Sequence, residues 1–117
     1  MEKATTQKPI IRSVSDIESV RGVCGFRRSL ITAEDSDVAN VSHLTIDNSR
    51  EHYHERMTEF YYVLKGGGDI VLDGETTPIG EGQIVVIPPG VRHTSHGDME
   101  VLIVGVPPLE TDDVHFD

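Results

Sequence analysis

Four residues carry the chemistry this chain is equipped for. His52 and His54 stand two apart in His52-Tyr53-His54-Glu55-Arg56-Met57-Thr58-Glu59, and His93 lies downstream of Pro88-Pro89-Gly90. In an extended strand alternate side chains share a face, so His52 and His54 point the same way, with Cα atoms about 6.6 Å apart. Two imidazoles so placed can converge on one metal ion. Glu59 cannot reach that ion along the same straight strand, because five residues span roughly 17 Å. The chain must bend between Glu55 and Met57. A second strand, Thr58 to Lys65, then brings Glu59 back, with Tyr61 and Val63 on the same inner face and Phe60, Tyr62 and Leu64 outside.

The third imidazole needs a tight turn to deliver it. Gly82 to Ile87 is a short apolar run that ends in Pro88-Pro89-Gly90. Pro89 and Gly90 suit the central positions of a type II turn, where glycine supplies the positive φ. His93 follows on the next extended stretch. Three imidazoles and a carboxylate suit Fe, Mn, Ni, Zn, Co or Cu rather than Ca or Mg. An octahedral ion held by His52, His54, Glu59 and His93 keeps two adjacent positions for a substrate with neighbouring oxygens, such as an enediol, a hydroxy acid or a catechol. A zinc pattern of the form His-x-His-x-Asp-His is excluded, because Arg56 and Met57 occupy its last two positions.

The elements around these residues read as strands. Val38 to Asp47 alternates, with Val41, His43 and Thr45 on one face and Leu44 and Ile46 on the other. Gly66-Gly67-Gly68 reads as a turn, Asp69 to Leu72 as a short strand, and Asp73-Gly74 as a hairpin. Thr76 to Ile79, Gln83 to Ile87 and Met99 to Val106 complete the set. Val23 to Thr32 reads as a further strand and Pro9 to Val14 as a first one. Ser15-Asp16-Ile17-Glu18 has capping-box spacing for one helical turn. Short strands separated by Gly and Pro describe an all-β sandwich or barrel.

Composition sets the outer bounds. The 117 residues suit one domain, drawn as a tail over 1–8, a barrel over 9–106 and an acidic tail over 107–117. Cys24 is the sole cysteine, so no intrachain disulfide forms and a reduced, cytoplasmic setting is expected. The first nine residues lack the apolar stretch of a signal peptide, and no apolar run approaches a membrane span. A formal charge of −10 argues against nucleic acid or an anionic membrane as partner.

The two motifs together resemble those of the cupins, a superfamily of small β-barrels. The first cupin motif reads Gly-x5-His-x-His-x4-Glu-x6-Gly, and the chain matches it at His52, His54, Glu59 and Gly66, with Ile46 in place of the leading glycine. The second reads Gly-x5-Pro-x-Gly-x2-His-x3-Asn, matched at Gly82, Pro88, Gly90 and His93, with Gly97 in place of the asparagine. The resemblance implies a single-domain double-stranded β-helix, or jelly-roll, barrel with a metal held by three histidines and a glutamate. It also implies a homodimer, in which the Pro9 to Val14 run adds to the partner's sheet.

On function the resemblance leaves two classes. One is an enzyme acting on a small, oxygen-rich metabolite: a dioxygenase, and so an oxidoreductase, or an isomerase or lyase that moves protons next to a carbonyl. The other is a non-catalytic cupin that binds a sugar-like ligand or a metal. Proton transfer needs a base, and Glu59, His43 and Tyr61 are the candidates. Tyr61 is either a substrate contact or core, and His43 either a proton carrier or a surface or satisfied core histidine. Arg50 either greets an anionic substrate at the barrel mouth or is solvated.

Overall fold

The computed structural model describes residues 8–117. Among these, seven strands form one antiparallel sheet that curls into a jelly roll: β1 (Val20–Arg21), β2 (Gly25–Ile31), β3 (Asn40–Ile46), β4 (Thr58–Leu72), β5 (Glu75–Gly80), β6 (Ile84–Ile87) and β7 (His93–Val106). The strand order is β1-β2-β3-β7-β4-β5. β4 is the spine. β7 pairs with it along its whole length, while β6 covers residues 59–62 and β5 residues 67–72 on the other edge.

Alternation decides which residues point inward. On β4, Glu59, Tyr61 and Val63 are buried, and Tyr62 and Leu64 are exposed. Leu44, Tyr61, Val63, Ile70, Ile87 and Val101 are each no more than 1% exposed and form the centre of the core. Burying aliphatic side chains of this size contributes about 1.5–3 kcal/mol each, which drives closure of the sheet.

Two tight turns form as their residues require. Asp73 and Gly74 both take positive φ at the β4–β5 hairpin. In the turn before β7, the Val91 N–H donates to the Pro88 carbonyl at 3.3 Å, and Gly90 sits at φ 88°. That is a type II turn with glycine where its left-handed backbone is needed.

Several expectations are corrected. Gly66-Gly67-Gly68 is not a turn but the middle of β4, paired to β7 throughout and to β5 from Gly67 on. Side chains there have no room: a Cβ on Gly66 would strike the Asp98 carbonyl, and one on Gly68 the His96 carbonyl. The helical turn begins earlier than Ser15, as a 3₁₀ turn at Val14–Asp16 entered from Ser13. Ser15 is drawn away from a capping role by a 3.0 Å contact between its hydroxyl and that of Ser13. Residues 9–13 form no strand within this chain. Residues 107–117 fold back across the barrel mouth, through a 3₁₀ turn at Thr111–Asp113 and a two-way backbone pairing of His115 with Tyr53.

Candidate metal centre and cavity

The two motifs meet by direct backbone pairing. The His52 N–H donates to the His93 carbonyl at 3.1 Å, and the His93 N–H returns the bond at 2.9 Å. The Gly90 N–H donates to the His54 carbonyl at 2.7 Å, so the proline–glycine turn is clasped to the first motif. His52 and His93 are therefore cross-strand neighbours on one face, with ring centroids 4.3 Å apart, and His54 lies 4.9 Å from His52.

Each imidazole is oriented by a backbone carbonyl. Nδ1 of His52 lies 2.8 Å from the Arg50 carbonyl, Nδ1 of His54 2.7 Å from the Asp113 carbonyl, and Nδ1 of His93 2.9 Å from the Val91 carbonyl. A carbonyl only accepts, so every Nδ1 carries the hydrogen and every Nε2 is left as the free ring nitrogen. The ligand atoms of the three histidines lie within 4.8 Å of one another. Nε2 of His54 and of His93 is buried with no hydrogen-bond partner. Such orphaned nitrogens are costly in a core unless something binds them. Glu59 completes the cluster, with Oε1 3.1 Å from Nε2 of His93 and 3.8 Å from Nε2 of His54. Three imidazoles with fixed tautomers beside one carboxylate could hold a transition-metal ion.

The electrostatics favour the ligand forms of His52 and Glu59, while His93 and Glu59 attract a shared proton that a metal ion would displace. Burial, with His93 nearby, lowers the His52 pKa to about 4, so His52 is neutral at physiological pH. Burial opposes charge on Glu59, but the surrounding imidazoles, His93 foremost, outweigh it and hold the carboxyl below its usual range. Burial likewise opposes charge on His93, and contact with Glu59 overcomes it to raise that pKa.

His52, His54 and Glu59 line one end of a cavity of about 290 Å³. Val23, Ile103, Leu109, Val114 and Phe116 give it apolar walls, and Arg27, Cys24 and Tyr61 also reach it. Burial pushes the Tyr61 hydroxyl far up, so it keeps its proton, and it lies 2.7 Å from the Ser95 hydroxyl. Burial also raises the Cys24 thiol to about 11.

His52, His54, Glu59, His93 and Tyr61 are thus brought together. His43 and Arg50 are not among the residues lining the cavity. The inner face of β3 is Ser42, Leu44 and Ile46, which turns His43 to the other side, 3.2 Å from Glu100. Arg50 is exposed and lies over the Phe116 ring, 3.8 Å from its centroid. The bend between the His52–His54 segment, which forms isolated bridges, and β4 has a cause that the local sequence does not contain. The Asp113 carboxylate, 2% exposed, accepts the backbone N–H groups of Glu55, Arg56 and Met57 at 2.7, 3.1 and 3.2 Å. Asp113, Arg27 and the wall formed by Leu109, Val114 and Phe116 are the residues that motif reading misses. The one sequence signal for the C-terminal wall is apolar side chains at intervals in an otherwise acidic stretch, and Arg27 has none.

The family model for the Cupin domain matches residues 45–105, which span both histidine motifs. The chain belongs to the cupin family. Among relatives, this cupin is 34% identical over 104 residues to the polyketide synthase CurC of Streptomyces cyaneus, covering 83% of this chain and 68% of CurC. Among solved structures it resembles a protein from Planctomyces limnophilus, with a TM-score of 0.87 and 29% identity over 93% of this chain and 97% of the other. It also shares its fold with Pac13 of Streptomyces, described as a nucleoside dehydratase, with a TM-score of 0.84 and 20% identity over 94% and 92% of the two chains.

Proposed function

We propose that this cupin is a metal-dependent enzyme of the isomerase or lyase type. Its substrate would be a small, oxygen-rich molecule with an apolar portion. The observation that carries the reading is the convergence of three imidazoles and an ionised, buried carboxylate beside a cavity whose remaining lining is mostly apolar, with Arg27 and Thr111 as its polar members. His52, His54, Glu59 and His93 would hold one divalent transition-metal ion. Bound there, the ion would act as a Lewis acid on a substrate oxygen.

The chain's own residues supply the rest. Glu59 is the one carboxylate among the residues lining the cavity, and by swinging off the ion it would accept a proton from the carbon next to a carbonyl. Tyr61, held protonated, would donate a hydrogen bond to an oxygen of the same molecule. Leu109, Val114 and Phe116 keep water from the polar end. The likeness to CurC supports a polyketide-like substrate, with oxygens spaced along a carbon chain. The description of Pac13 as a dehydratase, and its structures with uridine, support elimination chemistry on a small polar ligand.

The test is turnover of a panel of β-hydroxy and β-keto acids by metal-loaded protein, run with and without oxygen. Equal rates in both arms support proton transfer. Turnover that requires oxygen would replace this reading with oxygen insertion. A ligand that raises Tm but is recovered unchanged from every assay would make the protein a binder.

A homodimer in the cytoplasm fits this reading. The outer face of the sheet exposes Tyr62, Leu64, Ile84 and Val86 around the β4–β6 pair, an apolar patch of the kind that subunits cover. Cys24, the lone thiol, is buried and unpaired. Light scattering that gives about twice the 12.9 kDa chain mass at micromolar concentration is the expected result.

A further inference from the structure

The chain has seven arginines, and six of them have evident partners. Arg12 pairs with Asp35, Arg21 with Asp47, Arg56 with Glu110 and Asp112, and Arg92 with Asp117. Arg28 donates to the Ile17 carbonyl at 3.0 Å, and Arg50 lies over Phe116. The Arg27 side chain has no hydrogen bond or ion pair among the described residues, and its Nε is buried without a partner. A shortage of acid is not the reason, since the chain carries 20 Asp and Glu against 10 Lys and Arg.

Position explains the difference. Arg27 stands opposite Leu44 in the β2–β3 register, and Leu44 is 1% exposed, so the Arg27 side chain leaves the sheet on its inner face. It lines the cavity that holds His52, His54 and Glu59. It also lines an adjoining cavity of about 240 Å³, with Ser29, Asn40 and Ser42. Leu109 and Thr111 border both spaces, so Arg27 stands where they meet. An inward guanidinium with no anion beside it carries a desolvation cost that a bound anion removes. Its planar fork matches a carboxylate, or the paired oxygens of an enolate, in two parallel hydrogen bonds.

We propose that Arg27 is the anion-binding residue of this cavity. It receives the carboxylate or enolate of a ligand whose other oxygens face the histidine cluster. This rests on the cavity being the substrate site, and it adds that the substrate is an anion. Arg27 thereby selects acids over their neutral amides or alcohols.

The test is calorimetric binding of two matched probe pairs, salicylate with salicylamide and benzoate with benzamide. Each pair is titrated into metal-loaded and metal-free protein, for wild type, Arg27→Gln and Arg27→Lys. Wild type should prefer each acid to its amide by about tenfold or more. Arg27→Gln should lose that preference while its affinity for the amides and its metal content stay unchanged. Arg27→Lys should keep part of the preference, which also guards against a folding defect in the glutamine variant. An acid preference equal in wild type and Arg27→Gln overturns the proposal, and so does failure of wild type to bind either acid at millimolar concentration. If wild type takes up no metal yet still shows an Arg27-dependent acid preference, this inference stands and the metal-enzyme reading fails.

Discussion

The two ends of the cavity are built differently. At the histidine end the placement of His52 and His93 is local: each Nδ1 is set by the carbonyl two residues earlier in its own chain segment, Arg50 and Val91. At the covered end nothing is local. Leu109, Val114 and Phe116 reach the cavity because Asp113 grips the amides of residues 55–57, His115 pairs with Tyr53, and Arg50 and Arg92 hold Phe116 and Asp117. His54 is the joint between the two ends, since its Nδ1 is set by a carbonyl 59 residues away. The candidate ligands are thus a matter of local spacing, whereas the orientation of His54 depends on the C-terminal segment.

That dependence can be broken in order of expected effect. Replacing a candidate ligand, as in His54→Ala or His93→Ala, should abolish metal uptake outright, read by metal analysis of the purified variants. Asp113→Ala should come next. It strips three backbone amides of their acceptor, at a cost of about 3 kcal/mol, or roughly a 10–15 °C fall in Tm by calorimetry. If the segment orients His54, the same variant should also weaken metal binding by about tenfold or more, as losing the support of a ligand does. Unchanged metal affinity in a destabilised Asp113→Ala protein would show that the two ends are independent.

The difference between the ends also explains what the sequence could reveal. The spacing of His52, His54 and Glu59, the Pro89-Gly90 turn and the Asp73-Gly74 hairpin are patterns within a few residues, and each is legible there. Even the need for a bend near Glu55 follows from strand length. The cause of the bend does not, because Asp113 acts across 58 residues to the Glu55 amide. The triglycine reads as a turn because glycine favours turns. In the fold, glycine is needed because β7 carbonyls lie against the spine strand. Arg27 sits beside Arg28 with nothing local to say which of them faces inward; register against β3 decides it.

A smaller effect comes from pH. Burial would raise the Asp113 pKa, but the three backbone amides of residues 55–57 outweigh it and lower the value. A depressed folded pKa means that the unfolded chain binds more protons, so this stability is present above the usual carboxylate range and lost as pH falls through the folded value. Acid unfolding of metal-free protein should therefore be less steep in Asp113→Asn than in wild type. The smallest effect belongs to the rim. Arg50→Ala removes a cation–π contact with Phe116 and should cost about 0.5–1 kcal/mol in denaturant melts.

The measurement that bears most directly on the account is metal content by mass spectrometry of untagged protein, beside a His93→Ala control. The account predicts close to one equivalent of a transition metal in the wild-type chain, lost in the control. No metal in the wild type as purified, and none taken up on reconstitution, would contradict it.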